Sequence, residues 1–332
     1  MSTRGQEIVV SSILTEQSWN LLPEATRSTN PFLTLAYARA RQSLGDQAVL
    51  VGGPNTNKNA LTVAFLRRGR LNRSLEIPSL PVAAEHQEFW TSVLQQCSEM
   101  GITHLEVNTF GSEPFRLPDL RGEKSRIERR EFCLNLEGGD LAALLSNSHR
   151  KNVKKALARG CVLSKSGDVQ ALVRHRELMT NSIARRNARG ESVPLSVQSD
   201  EQRACLASGS GLLYQITYEG SVVSSVLVLR AEKGAYTHSS GNHPDGMKIG
   251  ASALLRHLLS LELQRDGFKT LRLGGAPPQS GLAEFKAGFG AKEIPLAAAE
   301  CQIGAAWRRH LATLAHALVR RSSYKAGPID AS

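Results

Sequence analysis

The chain has 332 residues, 41 basic and 30 acidic, for a net charge of +11. That length suits two domains of ordinary size, and no apolar run reaches the ~18 residues of a membrane span. The stretch from Met1 to Glu7 has no apolar core of a secretory signal behind it. The five cysteines, at 97, 133, 161, 205 and 301, stand singly and without metal-ligand spacing. This pattern predicts reduced, mostly buried thiols in a cytoplasmic protein without a metal site. The basic excess favours anionic partners such as phosphates, RNA or a membrane surface, and equally serves solubility.

In chain order, Ala48–Val51 and Leu61–Leu66 read as strands. Gly52 to Asn57 between them is turn chemistry. A helix is expected from Glu85 to Met100, with Phe89, Val93, Leu94, Cys97 and Met100 on one face. Gly101 caps it. Leu105–Asn108 and Arg130–Leu136 are further strands. Glu137-Gly138-Gly139-Asp140 marks a boundary near residue 137 and offers Asp140 as a helix N-cap. Beyond it come a helix over Leu141–Arg159, a strand over Cys161–Ser164, and helices over Val169–Ala188 and Gln198–Ala207. Strands over Leu212–Tyr218 and Val222–Arg230 are joined by the short turn Glu219-Gly220. A third strand covers Ala235–Ser239. The helix Ile249–Arg265 is so crowded with leucines that it must be nearly buried. Thr270–Leu273 and Lys292–Leu296 complete the strands. Three antiparallel strands, a buried helix and another strand make a mixed α/β (α+β) sheet, in which splaying between the last two strands opens a ligand cleft.

Two segments carry chemistry. The first is the glycine-rich turn from Ser239 to Ser252. Backbone N–H groups at a helix start bind anions, which makes Lys248, Gly250, Ala251 and Ser252 candidates for donor phosphate binding; a tight connection alone explains the glycines as well. The second is Gly274-Gly275, followed by Phe285-Lys286-Ala287-Gly288-Phe289-Gly290. Two glycines at a strand end admit a substrate backbone. Phe285 and Phe289, at i and i+4, share one side of a turn. Lys286 then points elsewhere, where it can hold a phosphate or an oxyanion; an amphipathic turn with a solvent lysine is the plain alternative. Acyl transfer to an amine needs a proton acceptor. His238 is the best base by intrinsic pKa, with Tyr236 and His243 beside it and Glu284 as a weaker choice.

The second segment resembles the C-terminal signature of the Fem family. These non-ribosomal peptidyltransferases of the GNAT superfamily add amino acids from aminoacyl-tRNA to peptidoglycan precursors. Gly274-Gly275, Phe285-Lys286 and Gly288-Phe289-Gly290 carry the likeness, together with the basic run Leu145 to Ala156 and Gly160-Cys161-Val162. It covers residues 140–297 well. The first half matches only through Asn30-Pro31-Phe32-Leu33 and its strand order. The resemblance implies tandem GNAT-like domains with mainly antiparallel sheets flanked by helices. Residues 1–137 form a degenerate first domain and 138–300 the acyltransferase domain. A basic tail helix over 301–332 has Trp307, Leu311, Leu314 and Leu318 on one stripe and packs back on the first domain.

The resemblance further implies Lys286 and Phe285 as catalytic residues and Gly274, Gly275 and Arg150 as substrate contacts; to these the third strand adds His238 as a catalytic candidate and Tyr236 as a substrate contact. No cofactor is tightly bound. The co-substrate is aminoacyl-tRNA or acyl-CoA, an anionic donor, and the acceptor carries an amine; DNA is not an expected partner. The coiled-coil arm of some Fem proteins is missing, and Met247 stands where the GNAT pyrophosphate loop begins with Arg or Gln. Eleven Lys/Arg against two acidic residues between His149 and Arg189 suit tRNA, as they suit a solvated helix face. Arg67, Arg68, Arg70 and Arg73 form a second basic cluster. A non-catalytic module that binds RNA or an anionic precursor is the reading from another class.

Overall fold

Every strand read from the sequence joins one continuous sheet. The computed structural model describes residues 13–52, 60–69, 72–190 and 199–303. The Met1 to Glu7 stretch, the turn beyond Gly52, Arg70 and the tail helix lie outside the described residues. The first half opens with three helices, α1 (Glu16–Trp19), α2 (Glu24–Thr29) and α3 (Leu35–Ser43). Strands β1 (Gln47–Gly52), β2 (Leu61–Arg68) and β3 (Arg73–Ile77) then pair antiparallel in succession. Helix α4 (Gln87–Glu99) leads to β4 (His104–Val107), which returns parallel to β3. The long strand β5 (Glu123–Asn135) follows.

The second half repeats that order. After α5 (Asn147–Ala158), β6 (Val162–Ser166), α6 (Ala171–Asn187) and α7 (Ser199–Ala207) come the antiparallel strands β7 (Gly211–Tyr218), β8 (Ser221–Arg230) and β9 (Gly234–Asn242). A short helix α8 (Pro244–Ile249) and the longer α9 (Ala251–Arg265) lead to β10 (Thr270–Gly275), parallel to β9. Helix α10 (Gly281–Ala287) and β11 (Lys292–Gln302) finish the described chain.

The sheet order is β1-β2-β3-β4-β11-β5-β10-β9-β8-β7-β6. Each half therefore lends its last strand to the other: β5 pairs with β10, and β11 pairs with β4. The long antiparallel ladder between β5 and β11 stitches the halves together. The boundary expected at residue 137 falls just after β5, inside this exchange. A seam core of Phe32, Tyr37, Phe65 and Tyr236 also draws from both halves.

Local chemistry explains two departures from the expected elements. The helix expected from Leu141 starts only at Asn147. Asp140 closes a turn by accepting from the Ala142 N–H, and the Ser146 N–H is held by the Gly288 carbonyl, so Ser146 is the cap, accepting from the His149 N–H. The glycine-rich turn contains α8, because the His243 ring accepts from the Asp245 N–H and Pro244 sits at the first helical position. The hairpin turn at Glu219 and Gly220 has positive φ at both residues (48° and 75°), as a type I′ turn requires. Helix α9 is buried as its leucines foretell: Leu254, Leu255, Leu259 and Leu263 all lie in the core under β7 and β8.

Strands β9 and β10 pair at only three positions, ending at Tyr236 and Arg272. Beyond that point β9 runs on to Asn242 while β10 bulges against β5 between Arg272 and Gly275. The strands part, and the cleft expected between them opens there.

Candidate active site

The cleft is a cavity of about 670 Å³ lined by α6, β8, β9, α9, β10 and α10. At its inner end, Gly274 holds φ +73°, in the left-handed region, within the bulge of β10. A Cβ at Gly274 would stand 3.4 Å from the Thr237 carbonyl and 3.7 Å from both Lys286 Nζ and the Tyr236 hydroxyl. Those groups thus ring the space that glycine leaves open.

Lys286 reaches this point from the last turn of α10. Ser280 starts the helix by accepting from the Ala283 N–H. Phe285 and Phe289 then turn to the other side, where they form an aromatic cluster with His149, at 5.0 Å and 4.3 Å between centroids. His149 Nε2 lies 2.9 Å from the Phe285 carbonyl, which ties α10 to α5. With that face anchored, Lys286 points inward and Nζ donates to the Gly275 carbonyl at 2.6 Å. The side chain is 8% exposed. Burial, and then the nearby Arg256 guanidinium, push its pKa down to about 7. Near neutral pH this amine therefore exists in both protonation states.

Tyr236 is a buried phenol whose hydroxyl donates to Glu131 Oε1 at 2.9 Å. Glu131 is fully buried on β5, where it also meets Arg129 at 3.1 Å and accepts from the Gly111 N–H. Burial and the Glu131 charge hold the phenol pKa well above its usual value, so Tyr236 is neutral.

His238 lines the cavity too, on β9 two residues beyond Tyr236. Its Nε2 lies 3.7 Å from Glu201 Oε1 on α7, too far for a hydrogen bond but close enough for a charge contact once the ring is protonated. Burial opposes ionisation of Glu201; the contact with His238 outweighs it, with help from Arg41 and the Tyr37 hydroxyl (3.0 Å), and holds the carboxyl at about 2. His175 bridges Ser225 and Ser239 at 2.8 Å and 2.9 Å. Burial, with His238 nearby, pushes its pKa down to about 3, so it acts as a neutral strut.

The cavity thus gathers Lys286, Phe285 and His238 of the expected catalytic set, and Gly274, Gly275 and Tyr236 of the expected substrate contacts. Of the expected phosphate-binding group only Ser252 lines it. Gly250, at φ +84°, lies against the Asn152 backbone, so its missing side chain lets α5 pack closely. Ala251 is buried under the sheet. Lys248 is exposed and pairs with Asp245 at 2.8 Å. Arg150 is exposed too and donates to the Leu145 carbonyl, away from the cavity.

Sequence reasoning counted Arg185, Arg186 and Arg189 within the basic run and passed over Arg256, all of which line the cavity, as well as Glu131 and Glu201 behind it. The signal for Arg256 was present: a guanidinium in the leucine-crowded Leu254-Leu255-Arg256-His257-Leu258-Leu259 run must be either paired or functional.

Residues 145–287, which include β9, α9 and β10, match the acetyltransferase (GNAT) domain family. The chain therefore carries a GNAT acyltransferase domain. Over most of its length the fold is shared with solved structures of low sequence identity. The structure of FemX is similar over 92% of this chain and 99% of that one, with 14% identity and a TM-score of 0.65. The C-terminal domain of a putative lysylphosphatidylglycerol synthetase from Agrobacterium fabrum aligns over 91% and 96%, with 14% identity and a TM-score of 0.51. A tandem GNAT protein from the clavulanic acid biosynthesis pathway aligns over 90% and 98%, with 11% identity and a TM-score of 0.52. No curated protein matches the sequence. Among the described residues no helix is long and apolar enough to cross a membrane, and no cluster of His, Cys, Asp or Glu has the geometry of a metal site.

Proposed function

We propose that the protein is a Fem-like N-acyltransferase that moves an aminoacyl group from aminoacyl-tRNA to an acceptor amine, with Lys286 as the proton-transfer group. The observation that carries the reading is the buried Lys286 amine at the point where β9 and β10 part, held by the Gly275 carbonyl and shifted to about 7. The acceptor nitrogen attacks the ester carbonyl carbon and a C–N bond forms. The nitrogen's proton passes to neutral Lys286 Nζ, and the tetrahedral intermediate then expels the ribose oxygen as the C–O bond breaks. The lysine ammonium returns the proton to that oxygen, so the lysine ends as it began. Tyr236, a neutral donor pinned by Glu131, borders the same space. Phe285 and His149 keep α10 in place, and His238 with Glu201 offers a second proton path.

The whole-length likeness to FemX supports the tRNA donor, as does the loss of an open glycine loop before α9, where Gly250 is taken up by packing on α5. An acyl-CoA donor is the second reading. It is favoured by the start of α9, where Ser252 faces the cavity and no side chain caps the helix. A purely binding module has no use for a buried lysine poised near neutrality. The test gives the full-length protein a mixture of charged tRNAs or acetyl-CoA, with an amine acceptor panel, and follows the labelled acyl group. Transfer from tRNA that Lys286→Met abolishes is the expected result. Transfer from acetyl-CoA alone would move the assignment to the second reading, and undiminished transfer by Lys286→Met would remove the lysine from the reaction.

A further inference from the structure

The charged side chains that line the cavity among the described residues are all basic. Arg185, Arg186, Arg189, Arg256 and Lys286 line it, and among the described residues no Asp or Glu does. The cations fall in two tiers. Arg185, Arg186 and Arg189 come from the C-terminal end of α6, where Arg189 is exposed and the other two are half-buried. Arg256 lies deep, on α9, one turn beyond Ser252 on the same face, and is 9% exposed. Its Nη1 has no hydrogen-bond partner among the described residues, and no carboxylate there pairs with it. Burial alone pushes its pKa down to about 10, so the guanidinium stays charged at neutral pH without a counter-ion. An unpaired buried charge is costly and calls for an anion.

We infer that Arg256 is a carboxylate-binding subsite that anchors the acyl acceptor in the cavity. The inference rests on the acyl-transfer reading above. A single deep guanidinium matches a single compact charge, which its planar fork can hold with two parallel N–H bonds. A phosphate chain carries more charge and is better met by several cations together, as at the α6 end. Neither donor class brings a free carboxylate to the reacting end: in an ester or a thioester that carboxyl is already consumed in the bond. The carboxylate must then come with the acceptor. Arg256 and Lys286 line the same cavity, so an acceptor anchored at Arg256 presents its amine on the side of the proton-transfer group. Binding of the carboxylate would offset the Arg256 charge and raise the basicity of Lys286 as the substrate arrives.

The test is calorimetric titration of the full-length protein with alanyl-alanine, with its C-terminal amide, and with inorganic pyrophosphate, without any acyl donor. Wild type should bind the free acid about 10- to 100-fold more tightly than the amide. Arg256→Gln should reduce that preference to near unity while leaving pyrophosphate affinity within about twofold, and Arg256→Lys should restore part of it. Arg185→Gln should weaken pyrophosphate more than the dipeptide. Equal affinity for acid and amide, binding of neither by wild type, or a preference that survives in Arg256→Gln would overturn the inference. So would a loss of pyrophosphate affinity in Arg256→Gln with dipeptide binding intact. If Arg256→Gln does not fold, as judged by its melting curve, Arg256→Lys and the wild-type acid-to-amide ratio still decide the matter. Because no donor is present, failure here is separate from failure of the transfer reaction, which the Lys286→Met turnover assay reads.

Discussion

The two halves follow one plan, and only one opens a site. In the first half β3 and β4 stay paired along the whole of β4, from Ser74 and His104 to Ile77 and Val107. Helix α4 fills the space beside them with Phe89, Trp90 and Val93, which join Leu75, Ile77, Leu105 and Val107 in one core. In the second half β9 and β10 pair at three positions and then diverge, and α9 sends Ser252 and Arg256 into the gap. The same order of strands and helices thus gives a closed core or a charged cavity. Whether the parallel pair is allowed to part decides which. The bulge at Gly274 is what parts it.

The sharpest way to break the comparison is at Lys286. Lys286→Met should lower the acyl-transfer rate by about 10²- to 10⁴-fold with the fold intact, measured by single-turnover transfer beside a circular dichroism spectrum. An unchanged rate would mean that the open cleft is not where the proton moves.

The same variant carries a stability signature of opposite sign. Unfolded, Lys286 keeps its proton up to the ordinary lysine range; folded, it releases it near 7. Between those values unfolding takes up a proton, so native stability rises with pH, and below about 7 the buried ammonium is a full penalty. Lys286→Met should therefore be more stable than wild type at pH 6, by up to about 5 kcal/mol. The gap should shrink as pH rises from 7 to 10 in urea denaturation series. A gap that does not change with pH would contradict the burial of the charge.

In the closed half, Trp90→Ala should cost about 3–5 kcal/mol of unfolding free energy, because the indole is fully buried and donates to the Ala84 carbonyl at 2.7 Å. Urea midpoints measure it, and a loss below 1 kcal/mol would show that this half tolerates a gap like its partner's. Tyr236→Phe should cost about 1–3 kcal/mol by leaving buried Glu131 short of a donor, again read from urea midpoints. The smallest effect is expected at the bulge: Gly274→Ala should lose about 1–2 kcal/mol from its left-handed φ. If its transfer rate stays at the wild-type level in the same assay, the ring of groups around Gly274 does not form the reacting space.

Much of this organisation was legible in residue order. Leucine crowding foretold that α9 is buried, Phe285 and Phe289 foretold that Lys286 points away from them, and the strand sequence foretold the splay. Less legible were the helix start at Ser146, which depends on the Gly288 carbonyl from far along the chain, and the fate of Gly250, which is set by the approach of α5. Lys248 looked like a site residue because a basic side chain in a glycine-rich turn suits anions, and Arg150 because its basic run resembles that of the Fem family; the fold turns both to the surface.

By itself the sequence determined most of the strands and the longer helices, the mixed sheet class and the identity of the glycine and lysine motif, because periodicity and turn chemistry act over a few residues. Tertiary structure decided which strands lie side by side, above all the exchange of β5 and β11 between the halves. It also decided that Glu131 from the first half would hold Tyr236, and that Arg256 Nη1 would meet no partner among the described residues. Those outcomes depend on pairings between residues far apart in the chain, and burial gives them their force: a charge that costs little in water becomes, inside the protein, a demand for a partner.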